Sequence, residues 1–454
     1  MTPARAFALG TVWFFVASLG FASAMPHLVS AYFDAPWIAG VGALLALTLV
    51  FGPLYGIWAG WLAWLVRRGA ANPLLAAAGL GLVEYARTSA GSIFGWALLA
   101  HAPPPGAWIL QSADLGGAYL PGMILTSTAY VVASVFAPPL RGPRGMRWAV
   151  GVTTITLLAL GYGVRQDPTA GPESGIRVAI VQGGIPHDER WLPERRAADL
   201  EHYRELTARA DEPDLIVWPE FAISFDLRRR SAERTALFAI AADHPELLLG
   251  APFHRGLYPL ILQNSAFLLR EGTIAGRYDK TELLPFAERN PWPERISLGR
   301  AQYTPGRRLQ PIAARQAELG VFLCSEALRP GVARELTRQG ATLLANLAND
   351  SWLGRESAAA IQLRSTALRA IENRRFVLRG TGSGLSAIVD PTGRIVEVAP
   401  YGASDVLSGI VEPRTTRTLY SDLGDLGMGL AGIVAALGSF LALRRRAPHA
   451  AVQD

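Results

Sequence analysis

The sequence predicts a membrane-spanning helical bundle that carries an α/β layered domain. Three observations lead there. Hydrophobic residues make up 50% of the 454 and are concentrated toward the two ends of the chain. Arginines punctuate the apolar runs in a pattern that orients them. Between these ends, residues 176–420 alternate short apolar segments with amphipathic ones, as strands and helices do.

Residues 1–164 contain three acids (Asp34, Glu84, Asp114), seven arginines and eight of the twelve tryptophans. Apolar runs cover about 7–27, 37–66, 73–87, 116–137 and 147–164, and a last one covers about 424–443. Most approach the roughly 20 residues that span a hydrocarbon core. The 73–87 run is short, with room to extend past Glu84 to Trp96. Arg5 precedes the first run, and Arg67 and Arg68 follow the second. Arg141, Arg144 and Arg147 separate the fourth from the fifth, and Arg444, Arg445 and Arg446 close the last. The gaps 28–36 and 88–115 carry no lysine or arginine. Six spans with both termini inside satisfy the positive-inside rule at every loop. Splitting 37–66 at Gly52-Pro53 would put Arg67 and Arg68 outside, so one long or bent helix is expected. The first run is long, and no small-x-small cleavage site in a polar context follows it. It therefore reads as a span and not as a cleaved signal peptide.

The expected domains follow. Residues 1–164 form a bundle of about five spans, and 165–175 a Pro/Gly-rich linker. Residues 176–420 form an extracytoplasmic domain, 424–443 a C-terminal span and 444–454 a cytoplasmic tail. In the α/β portion, IRVAIVQGG (176–184) reads as a buried strand. DLIVWPE (214–220), ELLLGAPF (246–253), SAFLL (265–269), ELGVFLCSE (318–326), ATLLANLAND (341–350) and SAIVDPTGRIVEV (386–398) are further strand candidates. Helical periodicity covers 194–210 and about 231–243, 329–339 and 357–373. About 240 residues suffice for one core.

Composition excludes several function classes. The formal charge of +6 does not indicate a nucleic-acid partner, because the arginines of the membrane part mark one side of each span. A single cysteine, Cys324, excludes a disulfide framework and any multi-cysteine metal site. No glycine loop has phosphate-binding spacing, so a nucleotide site has no basis. The basic residues are 42 arginines and one lysine, Lys280. Under a coding bias toward arginine, a surviving lysine suggests a job that arginine cannot do. Arginine cannot trade a proton near neutral pH, whereas a buried lysine can.

Reactive groups sit at three strand ends. DLIVWPE ends in Glu220, RYDKTELLPFAE carries Lys280, and GVFLCSE carries Cys324. If these converge, the carboxylate takes the thiol proton and the thiolate attacks. The lysine then steadies the thiolate and the oxyanion on an attacked carbonyl. Taken singly, each has a plainer reading: a cysteine after apolar residues fits a core, a strand-end glutamate fits solvent, and an isolated lysine fits a surface.

Jointly, the order and spacing resemble the nitrilase (carbon–nitrogen hydrolase) superfamily. That resemblance implies an α-β-β-α sandwich and a Glu–Lys–Cys triad. The sole lysine and sole cysteine both fall at triad positions. The membrane portion narrows the resemblance to bacterial apolipoprotein N-acyltransferases. VAIVQGGIPHDERW (178–191) is similar to the family's opening strand and tryptophan-bearing loop, and VWPEFAIS (217–224) carries the glutamate. YDKTELLPFAE (278–288) resembles the lysine motif and ends on Glu288. CSE (324–326) holds the nucleophile and Glu326. NLANDSWLG (346–354), with Asn349 and Trp352, resembles an Asn-Asp-x-Trp segment. LRAIENRRFVLRGTGSGLSAIVDPTGRI (368–395) resembles the closing helix and strand, and VEYAR (83–87) a Glu-x-x-Arg element.

The resemblance implies a ping-pong reaction. Cys324 would attack the sn-1 ester of a phospholipid acyl donor, and the amine of a diacylglyceryl-cysteine lipoprotein acceptor would take the chain. Glu220 would be the base, and Lys280 would help form the oxyanion hole. Glu288 would orient lysine and base, and Glu326 would support the pocket. Trp191, Trp352 and Asn349 would bind substrate. No metal or cofactor is implied. A monomer in the bacterial inner membrane is expected, with the catalytic domain facing the periplasm. The chain departs from the family's pattern in three places. Ser325 stands where tyrosine is usual, glycine and serine in GTGSG (380–384) replace a Thr-Asn motif, and the opening hairpin looks absent. These leave room for a membrane-tethered amidase or hydrolase, or for a paralogue with another acceptor, such as one tied to conjugal transfer.

Overall fold

The computed structural model describes residues 1–136, 143–166, 174–186, 189–257, 260–290 and 303–445. The chain begins with helices α1 (Pro3–Phe21), α2 (Met25–Phe33), α3 (Trp37–Arg67) and α4 (Pro73–Ser89). A short turn, α5 (Ala113–Gly116), precedes α6 (Tyr119–Phe136) and α7 (Pro143–Gln166). The 37–66 run is a single 31-residue helix that continues through Pro53. Its Gly52 and Gly60 let α1 approach closely: a Cβ there would meet Thr11 Cγ2 at 3.2 Å and the Pro3 carbonyl at 3.1 Å. Small residues spaced for close backbone contact are how membrane helices associate when burial in lipid offers no hydrophobic gain.

Among the described residues, five helices are long and apolar enough to cross a membrane: α1, α3, α6, α7 from Gly145, and the C-terminal Leu426–Arg444. By length and composition this is a multi-pass membrane protein. The remaining expected span, at 73–87, differs. It becomes α4, of 17 residues, which stops at Ser89 and does not run on to Trp96. Eleven of its residues are buried, so it packs inside the bundle instead of presenting an apolar surface. The gap at 28–36 also differs, because it contains most of α2. Two of the orienting arginines, Arg141 and Arg446, lie outside the described residues. Among the others, Arg68 at the end of α3 donates to the Arg445 carbonyl at 2.9 Å, so these two helix ends share one side of the bundle.

The second half is a four-layer sandwich. In chain order its elements are β1 (Ile176–Gln182), α8 (Arg196–Thr207), β2 (Leu215–Val217), α9 (Ala232–Ala242), β3 (Leu247–Leu257), β4 (Leu260–Arg270) and β5 (Thr273–Asp279). Then come β6 (Ile312–Ala313), β7 (Glu318–Leu323), α10 (Pro330–Arg338), β8 (Leu343–Ala348), α11 (Glu356–Asn373), β9 (Val377–Thr381), β10 (Ala387–Val389), β11 (Ile395–Val398) and β12 (Asp405–Val411). The turn α12 (Leu419–Leu423) leads into α13 (Leu426–Arg444). One sheet runs β12-β1-β2-β3-β4-β5 and the other β11-β10-β9-β8-β7-β6. β1, β2 and β3 pair in parallel, as do β7, β8 and β9.

The strand period of two explains the layers. On β1, Val178 and Ile180 join Val217, Val321, Ala345 and Leu347 in a core between the sheets. Ala179 and Val181 face the other way, onto Leu200, Leu206 and Leu237 of α8 and α9. Val332, Leu336 and Leu363 of α10 and α11 cover the second sheet through Phe322, Leu344 and Val377. Both faces of the central strands are buried, which is why they read as unbroken apolar runs. The 386–398 candidate proves to be two strands, separated by the Asp390-Pro391-Thr392-Gly393 turn with Gly393 at φ +77°.

α11 holds sandwich and bundle together. Thirteen of its 18 residues are buried, because its second face packs on the bundle through Leu368 and Ile371. Ions reinforce the seam. Arg374 Nη2 meets Asp114 Oδ2 at 2.7 Å, and the Ala118 amide donates to Glu372 Oε1 at 2.8 Å.

Candidate active site

Three chain turns bring the reactive residues to one end of the sandwich. Glu220 follows β2 on a Trp218-Pro219 step. Its backbone lies so close to β3 that a Cβ on Gly250 would meet Glu220 Cα at 2.5 Å. Lys280 follows β5, and its amide donates to the Asn264 carbonyl on β4 at 2.8 Å. Cys324 follows β7 with φ at +47°, a left-handed conformation that non-glycine residues rarely adopt. This sharp turn halts the strand and aims the thiol into a cavity of about 440 Å³.

Glu220, Lys280, Cys324, Glu288, Trp191, Trp352 and Asn349 all line that cavity. Lys280 Nζ stands 2.8 Å from Glu288 Oε1 and 3.5 Å from Glu220 Oε1. Asn264 Nδ2 bridges the same two carboxylates, donating to Glu220 Oε1 at 2.7 Å and Glu288 Oε1 at 2.9 Å. Glu288 Oε2 in turn accepts from the Leu284 amide at 2.8 Å. Trp191 packs edge-on against Phe221, and Asn349 Oδ1 accepts from Ser351 Oγ at 2.5 Å. Among the described residues, no group of three or more His, Cys, Asp or Glu side chains is arranged to hold a metal ion.

Glu326 is the one candidate set apart, since it does not line the cavity. It is fully buried, and its carboxylate accepts from Tyr278 Oη, the Thr281 and Glu282 amides and the Leu323 amide. It thus clamps the end of the cysteine strand to the segment after Lys280.

Electrostatics set a protonated resting thiol. Burial, then the Glu220 charge, pushes the Cys324 thiol well above its usual range, with Lys280 opposing. Burial also raises Glu220, against Lys280, Asn264 and the thiol, which favour its carboxylate. Burial disfavours a charged Lys280, but Glu288 and Glu220 outweigh it and hold the ammonium charged. Such a cluster can move one proton from sulfur to carboxylate as sulfur attacks, beside a fixed positive charge.

Sequence reasoning missed Asn264, Tyr303 and Tyr32. Asn264 lay within a signal: Gln263, Asn264 and Ser265 are three consecutive polar residues, all buried, in the middle of β4. Tyr32 gave none. It sits on α2, far away in sequence, yet it lines the cavity and donates to the Ala287 carbonyl at 3.1 Å. Its hydroxyl is pushed up to about 12 by burial and then by Glu288.

Residues 177–420 match the carbon-nitrogen hydrolase family, and residues 1–131 match the apolipoprotein N-acyltransferase N-terminal domain. The apolipoprotein N-acyltransferase of Azotobacter vinelandii is 30% identical over 462 residues, covering 98% of this chain and 86% of that protein. That of Geobacter metallireducens is 28% identical over 468 residues, covering 98% and 89%. Among solved structures, an amidase from Nesterenkonia sp. aligns at 20% identity and a TM-score of 0.44, over 58% of this chain and 99% of that one. With both matched regions in sequence order along nearly its whole length, the chain belongs to the apolipoprotein N-acyltransferase family of the nitrilase superfamily.

Proposed function

We propose that this protein moves an acyl chain from a phospholipid to the N-terminal amine of diacylglyceryl-cysteine lipoproteins, through a thioester on Cys324. Cys324 gives its proton to Glu220 and attacks the sn-1 ester carbonyl. The C–O bond breaks, and the lysophospholipid alkoxide leaves with the proton from Glu220. The acceptor amine then attacks the thioester, Glu220 takes the amine proton, the C–S bond breaks, and the thiol is restored. Lys280 stabilises the oxyanion in both halves. Glu288 and Asn264 hold Lys280 and Glu220 in register. Trp191, Trp352 and Asn349 contact the lipid substrates.

The observation that carries this reading is Tyr32. A residue from the segment between two apolar helices lines the same cavity as Cys324. A site walled jointly by bundle and sandwich suits a bilayer-anchored substrate. Drawing an acyl chain fully out of lipid costs about 0.8 kcal/mol per CH₂. A cavity at the bundle's edge lets the chain stay in apolar surroundings. The full-length relatives, named for this activity, support the same reading. The shared side of Arg68 and Arg445 supports a cytoplasmic position for those helix ends, with the sandwich on the periplasmic face of a bacterial inner membrane.

The test is complementation of a strain depleted of its own apolipoprotein N-acyltransferase, with mass spectrometry of a lipoprotein N-terminus. Triacylated product is expected. A diacyl product despite normal expression would overturn the acceptor assignment and favour hydrolysis of the thioester.

A further inference from the structure

Against the Glu220-Phe221 turn that lines the cavity sits a buried cation with no part in the proposed reaction. Arg190 is 2% exposed, although its neighbour Trp191 is 38% exposed. Its Nη1 donates to the carbonyls of Glu220 at 3.0 Å and Phe221 at 3.2 Å, and its Nη2 donates to the Ile185 carbonyl at 3.4 Å. No side-chain acid is among these partners. Phe221 is itself at φ +51°, so the guanidinium holds a left-handed turn next to the base. The same turn supports Trp191 through the Phe221 ring, 5.1 Å between centroids.

The space for this guanidinium comes from the second sheet. A Cβ on Gly382 would collide with Arg190 Nη2. Gly382 does not have a left-handed φ, so its backbone conformation would admit a side chain. A side chain there and the Arg190 guanidinium would compete for one place. This gives a physical reason for one of the sequence's departures, the glycine in GTGSG.

We propose that Arg190 is a positioning residue for the base, seated by Gly382. It fixes the backbone of Glu220 and Phe221, links that turn to the tryptophan-bearing loop, and adds a permanent positive charge behind the base. The groups facing Glu220 are Lys280, Glu288 and Cys324, with Tyr32 and Tyr303 across the cavity. Those around Arg190, besides Glu220, are Asp199 and Tyr203. None of these is substituted in the test. The proposal rests on Glu220 acting as base to Cys324, but not on the identity of the acyl donor.

The experiment uses full-length protein in detergent and iodoacetamide as the probe, since Cys324 is the only thiol. Its labelling rate is followed from pH 4.5 to 9, alongside the melting temperature. Arg190→Met should move the acidic limb upward by about one pH unit, because losing a nearby positive charge disfavours the Glu220 carboxylate. At a fixed pH on that limb, labelling should slow by about tenfold. Gly382→Ala should shift the limb the same way with the arginine still present. Adding it to Arg190→Met should change nothing more, since the two act through one contact. Limbs that stay at the wild-type position, whatever the melting temperatures, would overturn the proposal, as would additive shifts. If Arg190→Met does not fold, the Gly382→Ala limb decides alone. A wild-type protein that labels normally but forms no acyl-enzyme with phospholipid would instead count against the lipid reading and leave Arg190's part standing.

Discussion

The cavity at Cys324 and the seam between sandwich and bundle both bury ions, and they bury them differently. At the cavity, Lys280 faces two carboxylates, Glu220 and Glu288, and all three border about 440 Å³ of open space with Cys324. At the seam, Asp114 Oδ2 accepts from Arg374 Nε and Nη2 and from Tyr162 Oη, at 2.9, 2.7 and 2.6 Å. Arg374 Nη1 also donates to Gln111 Oε1 at 2.6 Å. The seam saturates one carboxylate oxygen with donors from two other elements and leaves it nothing to do but hold them. The cavity keeps its charges in an arrangement that can trade a proton. Buried charge alone therefore does not mark a site. Buried charge beside a nucleophile and a space for substrate does.

The largest effect that would break this contrast is at Cys324, the proposed nucleophile. Cys324→Ala should abolish the acyl-enzyme, read by mass spectrometry after incubation with phospholipid. Its melting temperature should stay close to wild type, because one sulfur atom facing a cavity contributes little packing. An acyl adduct that persists in this variant would remove Cys324 from the mechanism.

Lys280→Arg comes next, with about 10³-fold slower acyl-enzyme formation expected. The charge is kept, but the planar guanidinium is larger than an ammonium and cannot take the same point between Glu288 and Glu220. Full activity would mean that only the charge matters there. It would also remove the significance proposed for the composition, one lysine among 42 arginines.

The same residues indicate how far the sequence can be read. Lys280 and Cys324 stand out because each is unique, and Glu220 because it ends an apolar run. All three line one cavity. The alternation of elements in 176–420 likewise anticipates the layers. What stays hidden depends on contacts distant in sequence. Tyr32 belongs to a helix in a stretch that reads as a connection, and only the docking of α2 against Trp352 brings it to the site, 5.5 Å between ring centroids. α11 looks like an ordinary helix, but its second buried face exists only because the bundle covers it. Asn264 is disguised by its strand, where a buried polar side chain is tolerated only because Lys280 and two carboxylates surround it.

A third effect follows from the raised Glu220. As the proposed base, Glu220 must be deprotonated to accept the thiol proton. Its folded value lies above the ordinary glutamate range near ~4.3. Activity should therefore be lost as pH falls through that raised value, about tenfold per unit below it. The check is the initial rate of acyl-enzyme formation from pH 4 to 8. A rate that stays flat to pH 4.5 would show that no buried carboxylate of raised affinity for protons takes part.

The smallest expected effect on chemistry is at the seam, and it sharpens the comparison most. Asp114→Ala should leave acyl-enzyme formation at 25 °C within about twofold of wild type, because Asp114 does not line the cavity. Stability should fall by about 3 kcal/mol, since removing one partner strands the buried Arg374 charge. A thermal-shift measurement in detergent reads this. Asp114→Ala with Arg374→Met should recover part of the loss, because no ion is then left unpaired. If Asp114→Ala instead slowed the chemistry severely while the melting temperature held, the seam would be transmitting to the site. The division between ions that hold and ions that react would then be wrong.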